Sequence, residues 1–196
     1  MAFTILDTLA GAVDLYNVDP LGPGPLIGLA NGPTSKGYAN YPGMELRGFD
    51  ANLGGASFVF AKASAAVTAG AFSEVTVTAT ATNRYDMVAA PWAGTANSAR
   101  TLGVAMVTLA AGQFGWFQVQ GIAITTVQGA PANGNSVYWQ AAGVVSPTVV
   151  ASKMAFGATF ASAVSASIGT GTSAVVLSAT QALVMLNWPN AQGAIT

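Results

Sequence analysis

The sequence contains no cysteine and no histidine. Without cysteine there is no disulfide framework and no thiolate metal site, and the redox compartment is unreadable. Without histidine, the Ser-His-Asp and Cys-His nucleophile arrangements and every imidazole-based metal centre are excluded as well. Charge is nearly as scarce: six Lys and Arg and seven Asp and Glu make 7% of the chain, against about a quarter in an ordinary globular domain. From Thr101 to Thr196 the only charged side chain is Lys153. A net charge of −1 and a pI near 5.0 leave no basic stripe for counterion-driven association, so direct nucleic-acid binding is not expected. The mean hydropathy of +0.51 comes mostly from alanine and valine. No run reaches the ~18–20 strongly apolar residues of a spanning helix, and the aromatics do not recur as the paired girdles of a membrane barrel; no membrane partner is expected. The opening residues lack a basic n-region and carry Asp7 and Asp14 where a signal peptide would be apolar, so none is expected.

What is present divides by chemistry. Residues 1–54 read as an extended N-terminal arm and connector. The stretch 19–33 holds four of the nine prolines, and proline fixes φ and removes donors, which excludes regular helix or central strand there. Residues 40–55 read as the connector, with turns at Pro42-Gly43 and Gly54-Gly55. From residue 55 to 196 the texture becomes short Val, Thr and aromatic runs separated by Gly, Asn and Ser, the cadence of an all-β sandwich or compact β-barrel. Strands are expected near 57–61, 73–80, 87–90, 103–109, 115–127, 136–140, 143–146, 155–160, 173–177 and 182–186. The segment 161–171 reads as loop. No repeat of fixed period emerges.

The stretch 110–129, AAGQFGWFQVQGIAITTVQG, carries no charge and a change of phase. If Phe117 and Val119 point inward, the series should continue at Gly121, Ala123 and Thr125, yet the large groups come at Ile122 and Ile124. A β-bulge at or near Gly121, or two shorter strands joined there, would accommodate the slip. Either places Trp116 and Phe117 beside a bend.

Catalytic chemistry is thin. Glu45, Asp50, Glu74 and Asp86 are the carboxylates available for paired acid and base work, and nothing in their spacing brings two together. GTGTSA at 169–174 matches a dinucleotide fingerprint formally, but no helix pattern follows it and no acidic residue lies downstream. GPGPLIG at 22–28 lacks the Gly-Lys-Ser/Thr of a phosphate loop. Both read as turns. Neither an enzyme activity nor a cofactor or metal is expected. Trp116, Trp139 and Trp188 sit in strand-like apolar context and read as core or interface; Trp92, between Pro91 and Gly94, is the loop aromatic expected to make an external contact. Arg84 and Asp86 around Tyr85 are expected to pin that loop.

The segments LGVA (102–105), GWFQVQG (115–121), APANG (130–134), the Gly157 return strand and the closing LNWP (186–189), preceded by GASFVFAKASAAVTAGAF (55–72), resemble the capsid decoration, or cement, proteins of tailed bacteriophages. The resemblance covers roughly residues 55–193; the long front is a departure from the family's compact form. It implies a virion protein made in the host cytoplasm and carried on the outer surface of the head. There it would be a homotrimer bound to the major capsid protein, stiffening the shell. On this reading Phe3, Ile5, Leu9, Leu21, Pro23, Pro25 and Trp92 are candidate capsid or subunit contacts, and Trp116, Phe117, Gly121 and Trp188 form the structural bend and core. The competing expectations are a head-fibre base or tail-associated protein, a glycan- or receptor-binding β-module using Trp92 and Tyr85, and a hydrolase using Glu74 and Asp86.

Overall fold

The computed structural model describes residues 42–79, 85–169 and 174–194, together with Thr4, Ile5 and Leu15. The candidate contacts Phe3, Leu9, Leu21, Pro23 and Pro25, and Arg84, lie outside the described residues. The protein is all-β. The strands are β1 (Thr4–Ile5), β2 (Glu45–Asp50), β3 (Gly54–Ala63), β4 (Phe72–Ala79), β5 (Tyr85–Pro91), β6 (Leu102–Ala105), β7 (Phe114–Thr126), β8 (Ser136–Ala141), β9 (Val144–Ser146), β10 (Met154–Phe160), β11 (Ser167–Ile168), β12 (Val175–Val176) and β13 (Gln181–Ala191).

Two circuits of strands share β7. In the first, β3 pairs with β7, β7 with β6, β6 with β4 and β4 with β5, all antiparallel; β5 then returns to β3 in parallel at Lys62 and Ala63 opposite Val88 and Ala89. A ring of five strands is narrow, so a few large side chains fill it and the rest must be small. Its interior is accordingly Ala61, Ala63, Ala71, Ala89 and Ala105, filled out by Val67, Val75, Leu109 and Phe117. In the second, the C-terminal half of β7 pairs with β13, β13 with β10, β10 with β8 and β8 with β9. A bridge between Val127 and Val145 brings β9 back beside the end of β7. This core is bulkier: Phe72, Trp92, Leu102, Val104, Val137, Val145, Phe160, Val184 and Leu186 are among its members.

β7 runs unbroken from Phe114 to Thr126. The expected bulge is present within it: opposite Ser57 and Phe58, β7 passes from Gln120 to Gln118, so Val119 is the extra residue. The carbonyls freed there are not orphaned, because the buried Gln118 Nε2 donates to the oxygens of Gln120 (3.1 Å) and Ile122 (2.9 Å). Gly121 has φ +90, and a Cβ at this position would lie 2.3 Å from the Gly55 carbonyl oxygen. Only glycine lets the two strands approach this closely. Yet the inward series continues past the bulge: Phe117, Val119, Ala123 and Thr125 are all fully buried. Ile122 and Ile124 instead pack on the opposite face with Leu53, Leu177, Leu183 and the β11–β12 hairpin. The apparent change of phase reflects a strand covered on both faces.

The connector is a strand. β2 alternates buried Leu46, Gly48 and Asp50 with exposed Glu45, Arg47 and Phe49, and it pairs with β3 along its whole length. The Asp50 carboxylate accepts from the backbone N–H groups of Asn52 (2.8 Å) and Leu53 (3.0 Å), an Asx turn that closes the hairpin. β1 adds to the other edge, Thr4 opposite Phe49 and Ile5 opposite Gly48. The backbone of Ile5, a candidate partner contact, therefore pairs within its own sheet. Leu15 is buried with Leu46, Phe58, Phe60 and Trp116. Two smaller differences complete the picture. The segment read as loop contains β11, and the strand expected over 103–109 stops at Ala105, beyond which Leu109 bridges to Val67.

Candidate interaction surface

The outward face near the junction of the two circuits is built by register. Arg47 on β2 lies opposite Ser57 on β3, Ser57 opposite Gln120 on β7, and Gln120 opposite Asn187 on β13. Ser57 Oγ donates to Gln120 Oε1 at 3.0 Å across this row. Along the next part of the face, Met185 pairs with Ile122 on one side and Thr159 on the other. The backbone approach at Gly55 and Gly121 leaves the floor low, and a depression of about 850 Å³ opens over it, lined among others by Arg47, Gly48, Gln120, Ile122 and Met185.

Trp188 dominates the neighbouring edge. β10 passes from Phe156 to Ala158 while β13 passes from Asn190 to Leu186, so Gly157 faces Asn187, Trp188 and Pro189 together. Trp188 has φ 47, a left-handed conformation that a bulky side chain rarely adopts, and one disfavoured again by the proline that follows. Such strain costs roughly 1–3 kcal/mol and persists only where the surroundings impose it. Asn190 Nδ2 donates to the Trp188 carbonyl at 3.1 Å. Gly157 leaves the room, since a Cβ there would come within 2.7 Å of the Asn187 oxygen. Trp188 was expected in the core; the bulge turns it outward, and it is 39% exposed. The indole walls two further depressions. One adjoins Met44, Glu45, Leu46, Arg47, Ser57 and Gln120; the other adjoins Val59, Val75, Val77, Met87 and Val119 at one end of the first ring.

Trp92 is the reverse case. It is 1% exposed and packs on Phe72 with ring centroids 6.3 Å apart, so the external contact expected of it is not available to its side chain. The reason is the loop that follows. Trp139 Nε1 donates to the Trp92 carbonyl at 3.0 Å, the Trp139 ring lies against Gly94 where any Cβ would collide with it, and Lys153 Nζ sits 4.1 Å over the Trp139 ring centroid. Phe117 is buried inside the first ring and Trp116, its neighbour on β7, is buried on the ring's outer side against Phe60, at 5.0 Å between centroids. Trp116 and Phe117 thus pack in separate clusters beside the bulge, and Trp188 belongs to neither.

Among the described residues, Glu74 and Asp86 stand at separate points of one ladder. Glu74 is buried on β4, where Arg100 donates to its Oε2 at 2.5 Å. Asp86 lies opposite Thr78, four residues further along the β4–β5 ladder. Among the described residues no group of three or more His, Cys, Asp or Glu could hold a metal ion. No helix among them is long and apolar enough to cross a membrane.

Trp188 and β2 were the parts of this surface that sequence reasoning missed. The usable signals were the alternation in ELRGFD and the tryptophan placed directly before Pro189.

No protein-family model matches the chain. No curated protein matches it significantly. Among solved structures it is similar to the head fiber gp8.5 N base of bacteriophage phi29, with a TM-score of 0.43 and 9% identity over 71% of this chain and 98% of that one.

Proposed function

We propose that this chain is a structural virion protein of a tailed bacteriophage, bound to the outside of the head, where it stabilises contacts between major capsid protein subunits. The observation that carries the reading is the poverty of ions across a large folded surface. Lys153 is the one charged residue after Arg100, and its ammonium rests on the Trp139 ring. Surfaces of Thr, Ala, Val and amide groups can be covered by a neighbour without the desolvation penalty that buried ions incur. Many such contacts, each modest, add up when copies are fixed on a common lattice. The sequence resemblance to decoration proteins over 102–105, 115–121 and 186–189 supports the same reading. The protein acts as a homotrimer without catalytic chemistry, cofactor, membrane or nucleic-acid contact.

The test is to mix the purified protein with undecorated heads, image the particles and measure their resistance to heat. Flat density at junctions between capsid subunits, with later release of DNA on heating, is the expected result. Projecting fibres would move the protein to the base of a head fibre, and density along the tail to a tail component. A protein that stays monomeric at high concentration and leaves the heads bare ends the proposal.

A further inference from the structure

We infer that the depression beside Trp188 is a binding site for a neutral sugar ring, a hexose or N-acetylhexosamine unit presented on a glycan. A pyranose offers an apolar face of C–H groups and an equatorial rim of hydroxyls. A protein site for it therefore needs an exposed aromatic face and a set of planar or hydroxyl hydrogen-bonding groups at its edge, with no net charge demanded.

The depression supplies these parts. Trp188 stands on one side as a part-exposed indole, and Glu45, Arg47, Ser57 and Gln120 line the rest, with Met44 and Leu46 beneath them. Its volume of about 370 Å³ falls in the range of small-ligand sites. Glu45 and Arg47 both lie on the outward side of β2, and their charges cancel, so the site gives no advantage to a sialic or uronic acid. The donation from Ser57 Oγ occupies Gln120 Oε1 and leaves the amide nitrogen of that side chain as the donor toward a sugar hydroxyl. The Glu45 carboxylate is able to engage two adjacent hydroxyls at once while the Gln120 amide nitrogen donates to a third, which gives a rim of this kind its selectivity for a ring orientation.

The backbone at Trp188 supports the assignment independently. Strained residues gather where the strain serves a ligand, and a bulge is the device by which a strand re-aims one side chain. An indole held at φ 47 ahead of a proline, with its carbonyl tied by Asn190, is a rigid platform that loses little freedom when a ring stacks on it. The recess on the other side of the indole, at the end of the first ring, shares Glu45 and adds Thr76 and Thr101, but five apolar side chains make up most of the rest and no amide lines it. The mixed lining is what distinguishes a sugar site from a plain protein-docking patch.

The experiment uses the full chain on an array of neutral and acidic glycans, followed by titration of the best binder with tryptophan emission as the readout. Binding of neutral hexose or N-acetylhexosamine glycans with a shift in emission is expected. Trp188→Gly, which relieves the backbone strain, should weaken binding at least tenfold while the Tm stays within about 4 °C of the parent; Trp188→Phe should retain part of the affinity, and Gln120→Ala should lower it without altering the Tm. The inference is overturned if no neutral glycan binds, if acidic glycans bind equally well, or if Trp188→Gly leaves glycan binding intact. Loss of head decoration in Trp188→Gly with no effect on glycans also overturns it, because the indole would then belong to the capsid interface. The proposed role on the head stands or falls separately, on the imaging of decorated particles.

Discussion

The two circuits that share β7 solve the same packing problem with opposite materials. The first, closed by β3, β5, β4 and β6, is lined by alanine and is so narrow that Phe117, Leu109, Val67 and Val75 fill it. The second, closed by β13, β10, β8 and β9, takes two further strands' worth of large groups, because Phe72, Leu102 and Val104 point out of the first ring and into it. Composition alone hides this difference. The alanine content that looks like a weak core is the correct content for a five-stranded ring, whereas the second ring needs aromatics to reach the same density.

That contrast can be broken at either end. Trp92→Ala should be the most damaging change, costing about 3–5 kcal/mol in denaturant unfolding, since it empties the bulk that the second core depends on; a loss below about 1 kcal/mol would show that Trp92 is not the plug of that core. Gly121→Ala should cost about 2–4 kcal/mol, because the new methyl meets the Gly55 carbonyl and the backbone is held at positive φ. As this residue belongs to both circuits, near-ultraviolet circular dichroism and tryptophan emission should be lost in one transition rather than two. Ala61→Leu should cost about 1–3 kcal/mol by overfilling the narrow ring. A neutral or stabilising outcome there would mean the first interior has unused room, and the contrast with the second would lose its basis.

Much of this architecture was legible in the sequence. The Val, Thr and aromatic runs with their Gly and Asn punctuation place most of the strands near where they fall, and the glycine at 121 marks the bulge region. What was not legible has physical causes. β2 is short, flanked by Pro42-Gly43 and by the Asx turn at Asp50, so its strong turn signals masked a clean alternation. Val75 and Val77 alternate alike in the sequence, yet Val75 is buried and Val77 is 62% exposed; β4 pairs with β6 only over Phe72 to Glu74, and beyond that it continues with β5 as a two-stranded ladder. Ile122 and Ile124 imitated a change of phase because their face is roofed by a hairpin distant in sequence.

The candidate surface was harder to read than the fold. The two tryptophans next to prolines exchanged roles: Trp92 looked like a loop aromatic but is covered through the carbonyl bond to Trp139, a partner forty-seven residues away; Trp188 looked like a core strand residue but is turned out by a bulge that needs Gly157 on another strand. Both outcomes depend on long-range register, which local pattern does not carry. The row Arg47, Ser57, Gln120 and Asn187 is of the same kind, four residues from four strands that meet only once the sheet is assembled.

A strand that serves as the common wall of two chambers also decides how such a chain can change over time. Neither chamber can be trimmed away and leave the other whole, since each would lose the stave that seals it. Variation is therefore steered toward hairpin tips and outward faces, where residues can be added or exchanged without opening a seam, and a new binding preference can arise there while the framework beneath stays the same.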